Sequence, residues 1–159
     1  MSKKSSFWLV KSEPDSYGIE DLERDGTTYW DGVRNYQARN FMRDDMKVGD
    51  GVLYYHSNSK PPAVVGLARV SREAYPDPTQ FDPESPYYDP KATEESPRWV
   101  VVDLEFVAKL TEPLSLQDLK EDRKLEGLPL LQRGQRLSVQ PVEPRHWRHI
   151  LKRAGMEEA

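Results

Sequence analysis

The chain has 159 residues, no cysteine, 36% hydrophobic and 31% charged residues, and a net charge of −4. That length fits one domain able to bury a core without metal or disulfide support, and the missing cysteines exclude disulfides, thiolate nucleophiles and the usual zinc knuckles. A negative net charge argues against indiscriminate polyanion binding, because non-specific nucleic-acid affinity comes mainly from phosphate neutralisation.

The charge is unevenly spread. Residues 133–153 carry Arg133, Arg136, Arg145, Arg148, Lys152 and Arg153 against a single acid, Glu143, while residues 73–105 carry nine acids against Lys91 and Arg98. A molecule with a basic side and an acidic side is expected. His56, His146 and His149 are too scattered for a metal site, and no cofactor is expected.

Residues 1–6 are polar and lead into a short apolar run. They are expected to be a disordered N-terminus, neither signal peptide nor membrane span, on a cytoplasmic protein with no membrane contact. Residues 7–155 read as a single domain. Residues 7–11 form a first strand that Ser12-Glu13-Pro14 terminates, since Pro14 pushes Glu13 out of helical geometry. A helix is expected over 17–24, capped by Asp15 or Ser16, with Ile19 and Leu22 inward. Residues 27–30 are extended, and helical character resumes over 35–42.

Strands follow at 51–56 and 63–73, an antiparallel hairpin around a polar loop. The second is apolar at nearly every position, as in a strand buried on both faces, and Gly66 marks a bulge or a tight corner. Residues 75–97 are Pro-rich with Phe81, Tyr87 and Tyr88, and read as an ordered flap rather than a linker. A long central strand is expected over 99–110, then a short helix capped by Ser115 with Leu116 and Leu119, and a turn-rich piece over 125–131. Residues 136–140 form the last strand, with Leu137 and Val139 on one face. Pro144 opens a final helix in which Trp147, Ile150, Leu151 and Ala154 recur at helical spacing, and Gly155 ends it. Strands interrupted by short helices without strand-helix-strand regularity make an α+β chain built on a small mixed or antiparallel barrel.

Chemistry concentrates in Tyr29-Trp30-Asp31-Gly32-Val33-Arg34-Asn35-Tyr36-Gln37-Ala38-Arg39-Asn40. Aromatic faces, an amide pair and two guanidiniums can stack a planar ring and read its edge. Composition alone leaves the plainer reading open, with Trp30 and Tyr36 as core aromatics at a corner. Lys11-Ser12-Glu13 and Tyr54-Tyr55-His56-Ser57 sit at strand ends and could converge with this stretch and with Arg136 and Ser138 on one concave site. Paired carboxylates, a phosphate-cradling glycine loop, an acidic metal triad and a nucleophile elbow are all missing, which disfavours an enzyme.

Six separated segments carry a resemblance. They are Trp8-Leu9-Val10-Lys11-Ser12-Glu13-Pro14, the Trp30 to Asn40 stretch, Gly49-Asp50 with Tyr54-Tyr55-His56-Ser57-Asn58, Val65-Gly66-Leu67-Ala68, Tyr75-Pro76-Asp77-Pro78-Thr79-Gln80-Phe81, and Arg136-Leu137-Ser138-Val139-Gln140-Pro141. In order and spread over nearly the whole chain, they resemble the EVE domain family. The resemblance implies a PUA-like pseudo-barrel of mixed strands with short peripheral helices, related to PUA, YTH and SRA domains. It also implies a non-catalytic module that recognises a modified base, with modified cytosine in DNA leading and RNA bases open. On that basis Trp30 would stack on an extruded base. Ser12, Asn35 and the backbone near Tyr55 and His56 would read its edge, and Lys11, Arg34, Arg39 and Arg136 would hold phosphates, with Tyr36, Ser57 and Ser138 completing the ligand-binding set.

Extruding a base costs a few kcal/mol and one aromatic stack returns roughly 1–3 kcal/mol, so unmodified duplex should bind at micromolar affinity or weaker. The expected partner is nucleic acid met by a monomer. The alternative is a small-ligand protein or enzyme that holds a nucleobase-like metabolite in the same pocket, and a third reading is a protein-interaction domain that uses the flap.

Overall fold

The computed structural model describes residues 6–57, 59–133 and 137–156. Six strands, β1 (Phe7–Ser12), β2 (Thr27–Tyr29), β3 (Gly51–His56), β4 (Ala63–Pro76), β5 (Val100–Ser115) and β6 (Val139–Val142), form one mixed sheet in the order β2-β5-β4-β3-β1-β6. Only β1 and β3 run parallel; the other pairings are antiparallel. β2 and β6 stand at opposite ends, so the expected α+β pseudo-barrel is present as a sheet whose hydrogen-bond ring is not closed.

Both faces of the sheet are covered, which explains why its central strands lack polar alternation. Trp8 and Val10 of β1 and Val52 and Tyr54 of β3 face one core, with Trp30, Val33 and Met42. Their neighbours Leu9, Leu53 and Tyr55 face a second core. The first is covered by α1 (Pro14–Tyr17), α2 (Ile19–Asp25), α3 (Tyr36–Asn40) and a π-helical turn at Phe41–Asp45. The second is covered by α4 (Leu116–Lys120), two 3₁₀ turns and α5 (Pro144–Arg153). Burial of Trp147, Ile150 and Leu151 bears out the helical spacing of α5, and each such side chain contributes roughly 1.5–3 kcal/mol.

Several boundaries differ from expectation for local reasons. The helix expected over 17–24 is two, broken at Gly18, whose extended backbone (φ −88°, ψ 171°) caps α2 in place of Asp15 or Ser16. The Asp21 carboxylate accepts from the Gly18 N–H at 2.8 Å, while Ile19 and Leu22 face inward as expected. β4 and β5 both run past their expected ends. β2 covers β5 only opposite Asp103–Glu105, so Pro113 lies where no ladder bond is demanded of it. The last strand is Val139–Val142, shifted forward from 136–140. Pro141 is accommodated because β6 is an edge strand paired only with β1. Arg136, Asn58 and the expected disorder of residues 1–5 lie outside the described residues; Ser6 donates its N–H to Asp50 Oδ1 at 3.2 Å.

A bulge falls at Val65, skipped in the register with both β3 and β5. Gly66 beside it serves close approach: a Cβ there would sit 2.5 Å from Ile19 Cδ1 and 2.9 Å from the Ala108 carbonyl oxygen. Because neither the helix nor the neighbouring strand can retreat freely, Gly66→Ala should destabilise by about 1–3 kcal/mol, seen as a lower urea midpoint with an unchanged m-value.

Candidate functional site

Where β1 ends, the sheet stops supporting its first-face cover and a cavity of about 420 Å³ opens. Its rings are Tyr17, Tyr29, Trp30 and Tyr87, and its polar lining includes Lys11, Ser12, Asp31 and Ser138. Ser138 arrives because its carbonyl accepts from the Lys11 N–H at 2.9 Å, which carries the β1–β6 ladder one step past the strand. Trp30 is anchored by its own N–H to the Val102 carbonyl (2.8 Å) and packs edge-on against Tyr54 at 5.5 Å. Only 8% exposed, it forms a wall rooted in the core.

The opposite wall comes from the flap, fastened by two buried polar residues. Asp77 Oδ2 accepts from the Gly32 N–H (3.0 Å) and from Arg34 Nη1 (3.1 Å), while Oδ1 accepts from the Thr79 N–H (2.7 Å). Gln80 receives the Arg98 and Trp99 N–H groups, 2.9 Å each, and donates to the Asp77 and Trp99 carbonyls, 2.8 Å each. Arg34 also donates to the Tyr87 carbonyl at 2.7 Å and lies over the Tyr87 and Trp99 rings. Tyr87 thereby closes onto Gly32, where a Cβ would lie 2.8 Å from the ring and where φ is +79°. No other residue type suits both demands.

Burial shapes the electrostatics. It pushes the Asp31 carboxyl above its ordinary value, with the neighbouring Asp77 charge adding to the effect. Burial holds the Lys11 amine below its ordinary value. Burial, aided by the hydrogen bond to Asp25, pushes the Tyr17 phenol up to about 12.

Of the residues expected to form the site, Lys11, Ser12, Trp30 and Ser138 are brought together at the cavity. Others are occupied elsewhere. Arg34 is the flap clamp just described, so its guanidinium is already spent on internal acceptors. Asn35 caps α3, its Oδ1 accepting from the Ala38 N–H at 3.0 Å. Tyr36 and Arg39 lie outside the cavity: Tyr36, 50% exposed, stacks on Trp99 at 4.8 Å, and Arg39 donates to the Arg98 carbonyl at 2.9 Å. Tyr55 faces the second core, because strand neighbours alternate and Tyr54 takes the first. His56 accepts from the Ile19 N–H at 3.1 Å, and Ser57 donates its N–H to the Ser12 carbonyl at 3.0 Å. Lys11↔Tyr55 and Ser12↔His56 are register neighbours, so the strand ends do converge while those side chains serve the fold. Arg136 lies outside the described residues. The lining residues missed from sequence are chiefly Tyr17, Tyr29, Asp31 and Tyr87. Tyr29 and Asp31 lay inside the singled-out stretch, whereas Tyr87 is brought near by Arg34, which bonds its carbonyl and is itself held by Asp77.

Comparison with known proteins places this geometry in a family. The EVE domain family profile matches residues 6–153. Thymocyte nuclear protein 1 of Rattus norvegicus is 45% identical over 98% of this chain and 75% of its own length. The crystal structure of human THYN1 protein in complex with 5-methylcytosine-containing DNA is 42% identical. It superposes with a TM-score of 0.88 over 97% of this chain and all of that one. A YTH domain of Zygosaccharomyces rouxii MRB1, solved with N6-methyladenosine RNA, covers 97% of this chain and 89% of its own at 12% identity and a TM-score of 0.56, a likeness of fold alone. The expectation of a cytoplasmic protein is overturned by the curated relatives, whose name calls them nuclear. No helix among the described residues is long and apolar enough to cross a membrane.

Removing a buried carboxylate that serves an arginine and two backbone N–H groups should be costly. Asp77→Ala is expected to lose about 3 kcal/mol in chemical denaturation and to speed amide exchange across residues 77–99. His56 adds a pH dependence. Burial lowers its pKa below the unfolded 6.5 and its ring must stay neutral to accept from Ile19. The folded state then binds fewer protons than the unfolded state below about pH 6.5. This contribution is therefore complete above that pH and is lost as pH falls through the folded pKa. Melting curves between pH 8 and 5 should show that loss, and His56→Gln, which keeps an acceptor without a titration, should flatten it.

Proposed function

The chain belongs to the EVE domain family, and on that premise we propose that residues 7–155 act as one non-catalytic module. The module receives an extruded, modified base, foremost a 5-methylated cytosine of DNA, in the cavity at the end of β1. The observation that carries this reading is the cavity itself: about 420 Å³, with Tyr17, Tyr29, Trp30 and Tyr87 and the polar Lys11, Ser12, Asp31 and Ser138 among its lining residues. Support comes from the human relative solved with 5-methylcytosine-containing DNA. Trp30, held from behind by Tyr54, is a rigid stacking wall, and Ser12 and Ser138 offer hydroxyls to the base edge. Lys11 meets the adjoining phosphate in place of the spent Arg34. Tyr36, exposed and backed by Trp99, is a platform for a neighbouring nucleotide. The module works as a monomer.

Binding is tested by anisotropy titration with single- and double-stranded DNA and RNA carrying cytosine, 5-methylcytosine or 5-hydroxymethylcytosine. Truncating Trp30 would open the core, so the informative variant is Tyr29→Ala, which removes a 45%-exposed ring. Tighter binding to a modified strand is expected, falling with added salt and weakened roughly fivefold or more by Tyr29→Ala. Equal affinity for every oligonucleotide, with the fold intact, would refute the proposal.

A further inference from the structure

Two carboxylates influence each other here, Asp31 lining the cavity and Asp77 buried behind it, and their surroundings differ. Asp77 is fully buried and accepts from Gly32, Arg34 and Thr79. Asp31 lines the cavity between the Trp30 ring and Gly32 and is half-buried, and no other residue among those described donates a hydrogen bond to its carboxylate. Arg34, the cation nearest in sequence, is turned to Asp77 and the Tyr87 carbonyl. Among the described residues its own backbone N–H is the one donor the carboxylate has, so lone pairs remain on the cavity side, where partial burial makes a further donor favourable.

The chemistry of the ligand says which donor. Thymine and 5-methylcytosine share the ring, the stacking face and the 5-methyl group, so aromatic walls and a methyl contact cannot tell them apart. They differ at positions 3 and 4. Cytosine offers a 4-amino donor beside a ring-nitrogen acceptor, and thymine offers a 4-carbonyl beside a ring N–H. The hydroxyls of Ser12 and Ser138 can donate or accept and so suit either base. The Lys11 amine, when charged, only donates and would favour the carbonyl. Glu13 also borders the cavity, at its exposed rim and with interactions of its own.

We infer that Asp31 is the specificity-determining residue of the cavity, accepting a hydrogen bond from the exocyclic 4-amino group of the bound base and turning thymine away. This rests on the base-reading function proposed above and adds the class of base admitted: one that carries an amine where thymine carries an oxygen. Against thymine the Asp31 oxygen meets the O4 lone pairs, two acceptors with no proton between them. Against cytosine it gains a donor on its cavity side.

The test compares otherwise identical single strands with one central 5-methylcytosine, thymine, cytosine or 5-methylpyrimidin-2-one, the last lacking only the 4-amino group. Wild-type protein should prefer 5-methylcytosine to thymine by about tenfold or more, and replacing it with 5-methylpyrimidin-2-one should cost a similar factor. In Asp31→Asn the side-chain amide can turn either its oxygen or its NH2 to the base, so the ratio should collapse to within about twofold. Glu13→Gln should leave it unchanged. Thermal unfolding of each variant checks the fold, and the pyrimidinone strand probes the same bond in the unaltered protein.

A preference for 5-methylcytosine over thymine that survives Asp31→Asn, or that vanishes in Glu13→Gln instead, would overturn the assignment to Asp31 and leave the base reader standing. So would a wild-type protein that distinguishes 5-methylcytosine from cytosine yet binds thymine as tightly as 5-methylcytosine. Binding indifferent to all four bases would remove the reader and this inference together.

Discussion

The site depends on one buried carboxylate. Asp77 ties the backbone of the 30–34 loop, the Arg34 guanidinium and the start of the flap into a single knot, with hydrogen bonds of 2.7 to 3.1 Å. A carboxylate held away from water is stabilising only where donors compensate it, and here they come from two chain segments more than forty residues apart. That requirement brings Tyr87 against Gly32 and makes the fourth wall of the cavity. Gln80 repeats the device with both of its amide heteroatoms engaged, so buried polar bonds fasten the flap at two points.

The sheet supplies the other half. β1 is flanked by β3 in parallel and β6 antiparallel, so its end is rigid on both sides. Strand alternation then sorts the side chains. Tyr54 supports Trp30 from the first core, and Tyr55 is committed to the second. A wall rooted in the core on one side and a clamped flap on the other gives a preformed cavity, which suits recognition of a flat group by shape and edge chemistry.

Much of this was legible in the sequence, and where reading failed the reason is consistent. Polar residues in a motif-rich stretch look like ligand contacts until their partners are known. Arg34 found Asp77, Asn35 found the Ala38 N–H, and His56 found the Ile19 N–H. Each satisfies a backbone or buried group that the fold would otherwise leave unpaired. Conversely Asp31, read as one letter among twelve, is held among the described residues only by its own backbone N–H and lines the cavity, a contrast that no window of sequence records.

By itself the sequence determined what local periodicity, punctuation and a six-segment likeness can carry. These were most of the strands along the chain, the inward faces of α2 and α5, the cap at Ser115, the α+β class and the family. Tertiary structure alone decided which polar side chains line the cavity and which are taken up by the fold, and that the flap folds back on the 30–34 loop. Hydrogen-bond partnership is a property of distance in space. Residues 32 and 77 meet through a carboxylate whose need for donors no window along the chain records.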